Sequence, residues 1–383
     1  MFSGKDAKSR DLKIKQPPAS AWKRAAVIFT STALLLCALM IAATVIVDPF
    51  FHYHRPLKNF PYVVDNQLLQ NPGMAANLDY DSVITGSSMT INFNTNDFAQ
   101  YLGDRAVKLS SNGALPMDIS NVLAVVFNAH TYARKKNAVK DVFIALDLNT
   151  YTAGVNDTKY PQPSYMYDSN PLNDISYVLN KDVFINYVVR PMAEREPTDL
   201  ATVYSTDWAD GFYYNEEWVM SNYTPADAAG TKAPEDERIE GTKKNLEANI
   251  LPYIKRHPET TFYFFLPPYS ILWWHDAANE GQLEALFSQT QYVADTLLAC
   301  PNVRLFDFQN ETEITENLNN YMDIEHFSPE ISSWMVQRFA DGRDEVKKGE
   351  ISRYISNTRR MINDFDYNSL FARYNIQDPA NAQ

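Results

Sequence analysis

The chain has 383 residues, longer than an average domain but within reach of one α/β domain with insertions, and its 45% hydrophobic and 21% charged content excludes disordered and collagen-like classes. Its 12 glycines are so dispersed that the closest pair is Gly342 and Gly349, which excludes a Gly-x-Gly-x-x-Gly fingerprint and a P-loop. A formal charge of −13 argues against a nucleic-acid partner, because phosphate binding needs a basic surface.

The first recognisable element is a run of 23 residues, Ala25 to Val47, without a charged side chain. As a helix it would span about 35 Å, enough for a hydrocarbon core of about 30 Å. Lys5, Lys8, Arg10, Lys13, Lys15, Lys23 and Arg24 precede it, against only Asp6 and Asp11. This positive-inside bias predicts residues 1–24 as a basic cytoplasmic tail and the chain beyond Asp48 outside. A cleaved signal peptide has a shorter apolar core of about 7–15 residues and a small-residue cleavage site, for which only Ala42-Ala43 offers itself. A buried core helix is seldom both this long and this uniformly apolar. The run, 25–47, therefore reads as an uncleaved signal anchor in a cell membrane, single-pass, with the carboxyl-terminal domain extracytoplasmic. From Asp48 onward, 45 acidic residues against 27 basic ones leave a net charge of −18. Anionic headgroups repel such a surface, so the tether must hold it at the membrane. The two cysteines, Cys37 and Cys300, are too few for a disulfide framework or a cysteine-based zinc site; Cys37 lies in the run, and Cys300 reads as a buried structural thiol.

A Pro- and aromatic-rich connector, 48–75, comes next. Then short apolar strands alternate with helical patterns. Ser82–Thr85 and Ala106–Leu109 are the first two strands, and a helix starting at Pro116 carries Ile119, Val122, Leu123 and Val126 on one face. Val139–Leu146, Thr261–Leu266 and the Val-Arg-Leu-Phe of 302–308 are three further strands, and helical patterns cover 237–256 and 281–298. Such alternation predicts a central parallel sheet with helices on both faces, a three-layer α/β sandwich over 76–345. Residues 151–236, rich in Tyr, Asn, Asp and Pro with one helical patch near 172–189, read as an insertion. Leaving the carboxyl edge of the sheet, it could form a lid or a substrate wall. The tail, 346–383, is expected to carry one helix around 358–374.

Two short motifs carry chemistry. The strand Ser82–Thr85 runs into Gly86-Ser87-Ser88-Met89, a turn where backbone N–H groups and a helix dipole can receive negative charge. Far downstream, Asp323-Ile-Glu-His326 precedes Ser328-Pro329, a helix start with Ser as N-cap and Pro in the first turn. Asp323 can fold back onto one imidazole nitrogen of His326, leaving the other basic and outward-facing. That is the base and orienter a serine needs, because its hydroxyl is hardly ionised at neutral pH.

Taken together, these blocks resemble the SGNH/GDSL hydrolase superfamily. Its Gly-Asp-Ser block corresponds to Gly86-Ser87-Ser88 and implies Ser88 as nucleophile. Its second-strand glycine corresponds to Gly113, its Gly-x-Asn-Asp block to Asp147-Leu148-Asn149-Thr150, where only the asparagine is kept, and its Asp-x-x-His block to Asp323 and His326. The resemblance covers roughly 80–150 and 260–340, and implies a flavodoxin-like SGNH fold. It also implies acyl transfer: Ser88 attacks an ester while His326 takes and returns the proton, and the backbone of Ser88, the backbone of Gly113 and the Asn149 amide hold the oxyanion. Asp147 stands where the family has glycine. A carboxylate beside a developing oxyanion is unfavourable, so either Asp147 points away or Asn149 is not a donor. No cofactor or metal is expected; His52 and His54 lack a third ligand and read as juxtamembrane polar residues, and His130 as a surface residue. Tyr269, Ser270 and Trp273, just past the fourth strand, are weak substrate-binding candidates, with packing under the lid as the alternative.

The expectation is thus a membrane-anchored, extracytoplasmic serine esterase or O-acyltransferase. Its substrate would be an acylated envelope glycan, polymer or lipid-linked glycan. Membrane-anchored relatives in the superfamily, such as the DltD-like proteins of teichoic acid D-alanylation and the alginate O-acetylation proteins, have this layout and imply a multi-pass membrane acyltransferase as partner. The alternative is a catalytically inactive glycan-binding or scaffolding protein of an envelope acylation complex.

Overall fold

The computed structural model describes residues 18–128, 139–168, 170–194, 196–205, 211–228 and 234–379. The first 17 residues of the expected cytoplasmic tail, and His130, lie outside them.

Helix Ala19–Val47 contains the apolar run, and most of its side chains are exposed. It is long and apolar enough to cross a membrane, as an anchor or as a signal sequence. Asp48 ends it in the left-handed conformation.

Six strands form one sheet: β1 (Ser82–Thr85), β2 (Ala106–Lys108), β3 (Asp141–Ala145), β4 (Thr261–Leu266), β5 (Val303–Asp307) and β6 (Glu345–Val346), in the order β2-β1-β3-β4-β5-β6. The first five are parallel, with Val83 opposite both Val107 and Val142, Phe143 opposite Tyr263, and Phe264 opposite Leu305. β6 is the antiparallel edge. Period-two alternation sends successive strand residues to two different cores. Val142, Ile144, Phe262 and Phe264 pack with helices Pro116–Asn128 and Leu283–Leu297, whereas Phe143, Ala145, Tyr263 and Phe265 pack with helices Thr95–Leu102, Ile271–Asn279 and Pro329–Asp341. At about 1.5–3 kcal/mol per fully buried large side chain, the two cores explain why strands this short persist. The result is a mixed α/β fold with a mostly parallel central sheet.

Three elements differ from expectation. The connector ends in a helix that the sequence pattern does not indicate, Gln67–Asn77, with Pro72 inside it. Its Asn71 amide holds the Ser110 carbonyl after β2 at 2.8 Å. The tail holds two helices rather than one, Ile351–Asp364 and Tyr367–Tyr374, because Asp366 caps a new start by accepting from the Ser369 amide at 3.0 Å. The tail is also part of the fold: β6 straddles residues 345 and 346, and Met361, Ile362, Leu370 and Phe371 are buried in the second core. Cys300 is half-buried against the first core rather than fully buried.

Within residues 151–234 the described segments contain short helical turns and no strand, including Ile175–Val178, the π-turn Phe184–Val189 and helix Glu216–Asn222. They pack back on the domain at separate points; the Tyr204 hydroxyl, for one, is buried against Asn71 at 2.9 Å.

Candidate active site

The strand order reverses at β1, which has β2 on one side and β3 on the other, so the crevice between β1 and β3 opens at the carboxyl edge. Gly86 turns the chain there at a φ of 145°, and a Cβ would sit 3.1–3.3 Å from Thr90 and Ala145, so only glycine fits. Ser87, buried, caps the 3-10 turn Ser88–Thr90 that follows. The Ser88 side chain is thereby left at the rim of the crevice.

The partner loop is equally specified. The Tyr321 hydroxyl donates to the Pro268 carbonyl at 2.7 Å, and Tyr321 bridges to Phe327. Asp323 Oδ1 accepts from the amides of Glu325 and His326 at 2.8 and 2.7 Å. With the loop closed in this way, Asp323 Oδ2 lies 2.7 Å from His326 Nδ1, and His326 Nε2 lies 2.8 Å from Ser88 Oγ. Ser88, His326 and Asp323 are therefore in line, from positions 238 and 3 residues apart in sequence.

Two polar residues brace the site from behind, Asn92 across the two loops and Lys108 between β2 and the segment after Ser88. The Asn92 amide, just after the Ser88 turn, donates to the Phe327 carbonyl at 2.6 Å and to the Tyr214 hydroxyl at 3.0 Å. Lys108 at the end of β2 is completely buried, and its ammonium donates to the carbonyls of Ile91 and Phe93 at 2.5 and 2.7 Å. Neither residue was picked out from the sequence. Their contacts are long-range and leave no local spacing to find.

The electrostatics follow from this packing. Burial pushes the Asp323 carboxyl up, but the hydrogen bond and charge of His326 and the two amides outweigh it and hold it below its ordinary range. Burial pulls the His326 imidazole down, yet Asp323, with the charges of Glu325 and Asp147, leaves it above its ordinary 6.5. Asp147 does not point away from the site. Its Oδ1 accepts from the Tyr269 hydroxyl at 3.1 Å, it is hydrogen-bonded to Ser87, and it acts electrostatically on His326. Burial raises its pKa despite these contacts. Asn149 is exposed, and its Oδ1 accepts from Arg238 at 3.0 Å. Gly113 sits at a φ of 65° in the loop whose Ser111 amide donates to the Gly86 carbonyl at 3.1 Å, and the Lys159 side chain crosses it.

The three weaker candidates separate. Ser270 does not face a ligand: it is fully buried, caps helix Ile271–Asn279, and its hydroxyl donates to the Ile324 carbonyl at 2.7 Å, bracing the His326 loop. Tyr269 and Trp273 stack at 4.4 Å, and the Trp273 indole donates to Glu325 Oε1 at 3.1 Å. Trp273 then lines a cleft of about 390 Å³ with Asn149, Arg238, Ile324 and Glu325. A second cleft of about 350 Å³ lies on the β2 side, lined by Gln67, Ser111, Asn112, Asp118 and Lys159. His52 and His54 contribute to the helix junction instead: His52 lies 3.5 Å from Asp174, and the His54 ring contacts the Val45 carbonyl at 3.1 Å.

No protein-family model, curated protein or solved structure matches the chain.

Proposed function

We infer that the protein is a serine esterase or O-acyltransferase of the SGNH type, with Ser88 as nucleophile, His326 as general base and acid, and Asp323 as its orienter. The observation that carries this reading is the in-line contact of Asp323, His326 and Ser88 at 2.7 and 2.8 Å. The strand order 2-1-3-4-5 of the parallel strands agrees with a flavodoxin-like sandwich, with the serine beside its switch point. His326 takes the Ser88 proton as the hydroxyl attacks an ester carbonyl, and Asp323 stabilises the imidazolium. The alcohol leaves with that proton, and water or an acceptor hydroxyl then releases the acyl group by the reverse sequence. The backbone amides of Ser88 and Gly113 hold the oxyanion; Asn149, engaged by Arg238, serves as a cleft wall.

Helix Ala19–Val47 acts as an uncleaved anchor with the catalytic domain outside the cell membrane, so substrates are acylated glycans, polymers or lipid-linked glycans of the envelope. Two clefts lined by amides, carboxylates and an indole suit a hydroxyl-rich ligand. A multi-pass membrane acyltransferase is the corresponding partner. Hydrolysis of p-nitrophenyl acetate by the purified full-length protein, absent in Ser88→Ala, tests the enzyme reading. Equal rates in both would leave an inactive glycan-binding or scaffolding protein, the reading that the Asp147 carboxylate beside the site favours.

A further inference from the structure

The segment 172–192 presents large apolar side chains to solvent beside the end of helix Ala19–Val47. Leu172 is 88% exposed and Met192 69%, and Ile175, Leu179, Ile185 and Val189 are exposed on the same stretch. Its other side is fully committed, because Tyr177, Val178 and Val183 are buried with Phe50 and Met166, and Ile41 of the helix packs against that cluster. Isolated exposed apolar residues need no explanation, but a run of six along one segment does.

Depth supplies the occupant. Arg24 is the last charged residue before the apolar run, and a hydrocarbon core of about 30 Å takes up about 20 helical residues. The outer edge of the core therefore falls near Thr44, one helical turn beyond Ile41, which is where segment 172–192 touches the helix. The junction cannot swing the segment away. Asp48 accepts from the amides of His52, Tyr53 and His54 at 2.7–2.9 Å and from the Tyr177 hydroxyl at 2.8 Å. The Tyr53 hydroxyl in turn donates to Asp174 at 2.9 Å. Tyrosines at this level match the interfacial preference of amphipathic rings.

We propose that segment 172–192 is a second membrane contact: its exposed apolar side chains enter the outer leaflet beside the anchor, the exposed Lys181, Asp182 and Arg190 stay at headgroup level, and the domain's height and tilt over the lipid surface are thereby fixed. The contact is apolar rather than electrostatic, since the outer domain carries a net charge of −18 from 45 acidic and 27 basic residues. It rests on the anchor reading of helix Ala19–Val47.

The test uses the full-length chain in phosphatidylcholine vesicles, with an environment-sensitive fluorophore on single cysteines. Native Cys37, in Cys300→Ala, reports on the anchor. In Cys37→Ala/Cys300→Ala, the additional changes Leu172→Cys, Ile185→Cys and Met192→Cys report on the segment, and Lys348→Cys on the opposite sheet edge. Lipids with a nitroxide high on the acyl chain should quench the three segment probes at least twofold and leave the Lys348→Cys probe unchanged; a deep nitroxide should quench Cys37. If the segment probes stay as water-exposed as the control while Cys37 is quenched, the lipid contact is wrong, the patch is left to a protein partner, and the anchor stands. If Cys37 is also unquenched, the anchor reading and the proposal fall together.

Discussion

The loop over residues 321–328 and the loop leaving β3 both bring a carboxylate to His326, and they treat it in opposite ways. In the first, Asp323 meets the imidazole at 2.7 Å and two backbone amides at 2.7 and 2.8 Å, and its pKa is held down. In the second, burial dominates; the Tyr269 hydroxyl, Ser87 and the Asn149 backbone amide do not compensate it, and the Asp147 pKa rises. Position near the base is therefore not what defines an orienter. The directness of its bond to the imidazole does so, since donors face both carboxylates.

The largest effect expected from this difference is that of Asp323→Asn. Removing the charge that faces Nδ1 should lower kcat for a p-nitrophenyl ester by about 10³-fold or more. Because Asp323 raises the His326 pKa, and the base must be neutral, wild-type activity should fall as pH drops through a value above 6.5, and that limb should move to lower pH in the variant. A loss below tenfold would put the orienting role elsewhere.

Asp147→Asn should behave differently. It removes a negative neighbour of both His326 and the developing oxyanion, so kcat should stay within about tenfold of wild type while the acid limb moves down in pH. A loss equal to that of Asp323→Asn would erase the contrast between the two loops.

A smaller effect is expected from Asn92→Ala, which severs the contact between the Ser88 segment and the Phe327 carbonyl. Unfolding in urea should show a loss of about 1–3 kcal/mol, and kcat should fall about tenfold with KM little changed.

The last effect lies outside the site and touches stability rather than rate. Asp307 at the end of β5 is buried, and burial pushes its carboxyl up to about 7. The folded state thus binds a proton that the unfolded state releases near 3.8, so stability should fall as pH rises from about 4 to about 7. One such proton is worth up to about 1.4 kcal/mol per pH unit. His326 adds a contribution of the same sign, present below 6.5 and lost as pH rises through its raised folded value. Thermal melts of Asp307→Asn across this window should show a shallower decline than wild type.

The parts of this architecture visible in the sequence were those with local repetition. Val-Phe-Ile-Ala and Phe-Tyr-Phe-Phe-Leu are continuous apolar runs because both faces of their strands are buried, and the Asp-x-x-His spacing closes a loop within four residues. What was hidden is non-local or conflicts with local propensity. β6 has two residues and no period to detect. Pro72 argues against the helix that contains it, which the Asn66 cap, the Gln70 and Asn71 hydrogen bonds and the burial of its neighbours keep in place. Ser270 looked like a ligand group because it follows a strand, but its hydroxyl is spent on the Ile324 carbonyl 54 residues away. Asp147 was visible as a departure from the resemblance, while its position among Ser87, Tyr269 and His326 required the fold.

The proposed role of Ser88 as nucleophile in a single unit with His326 and Asp323 is tested most directly by covalent labelling. Full-length protein treated with a fluorophosphonate and digested should yield one adduct, on the peptide carrying Ser88. Ser88→Ala should not label, His326→Ala should label far more slowly, and the rate of Asp323→Asn should fall between wild type and His326→Ala. Wild-type protein that stays unlabelled, or Ser88→Ala that labels at the wild-type rate, would contradict the account.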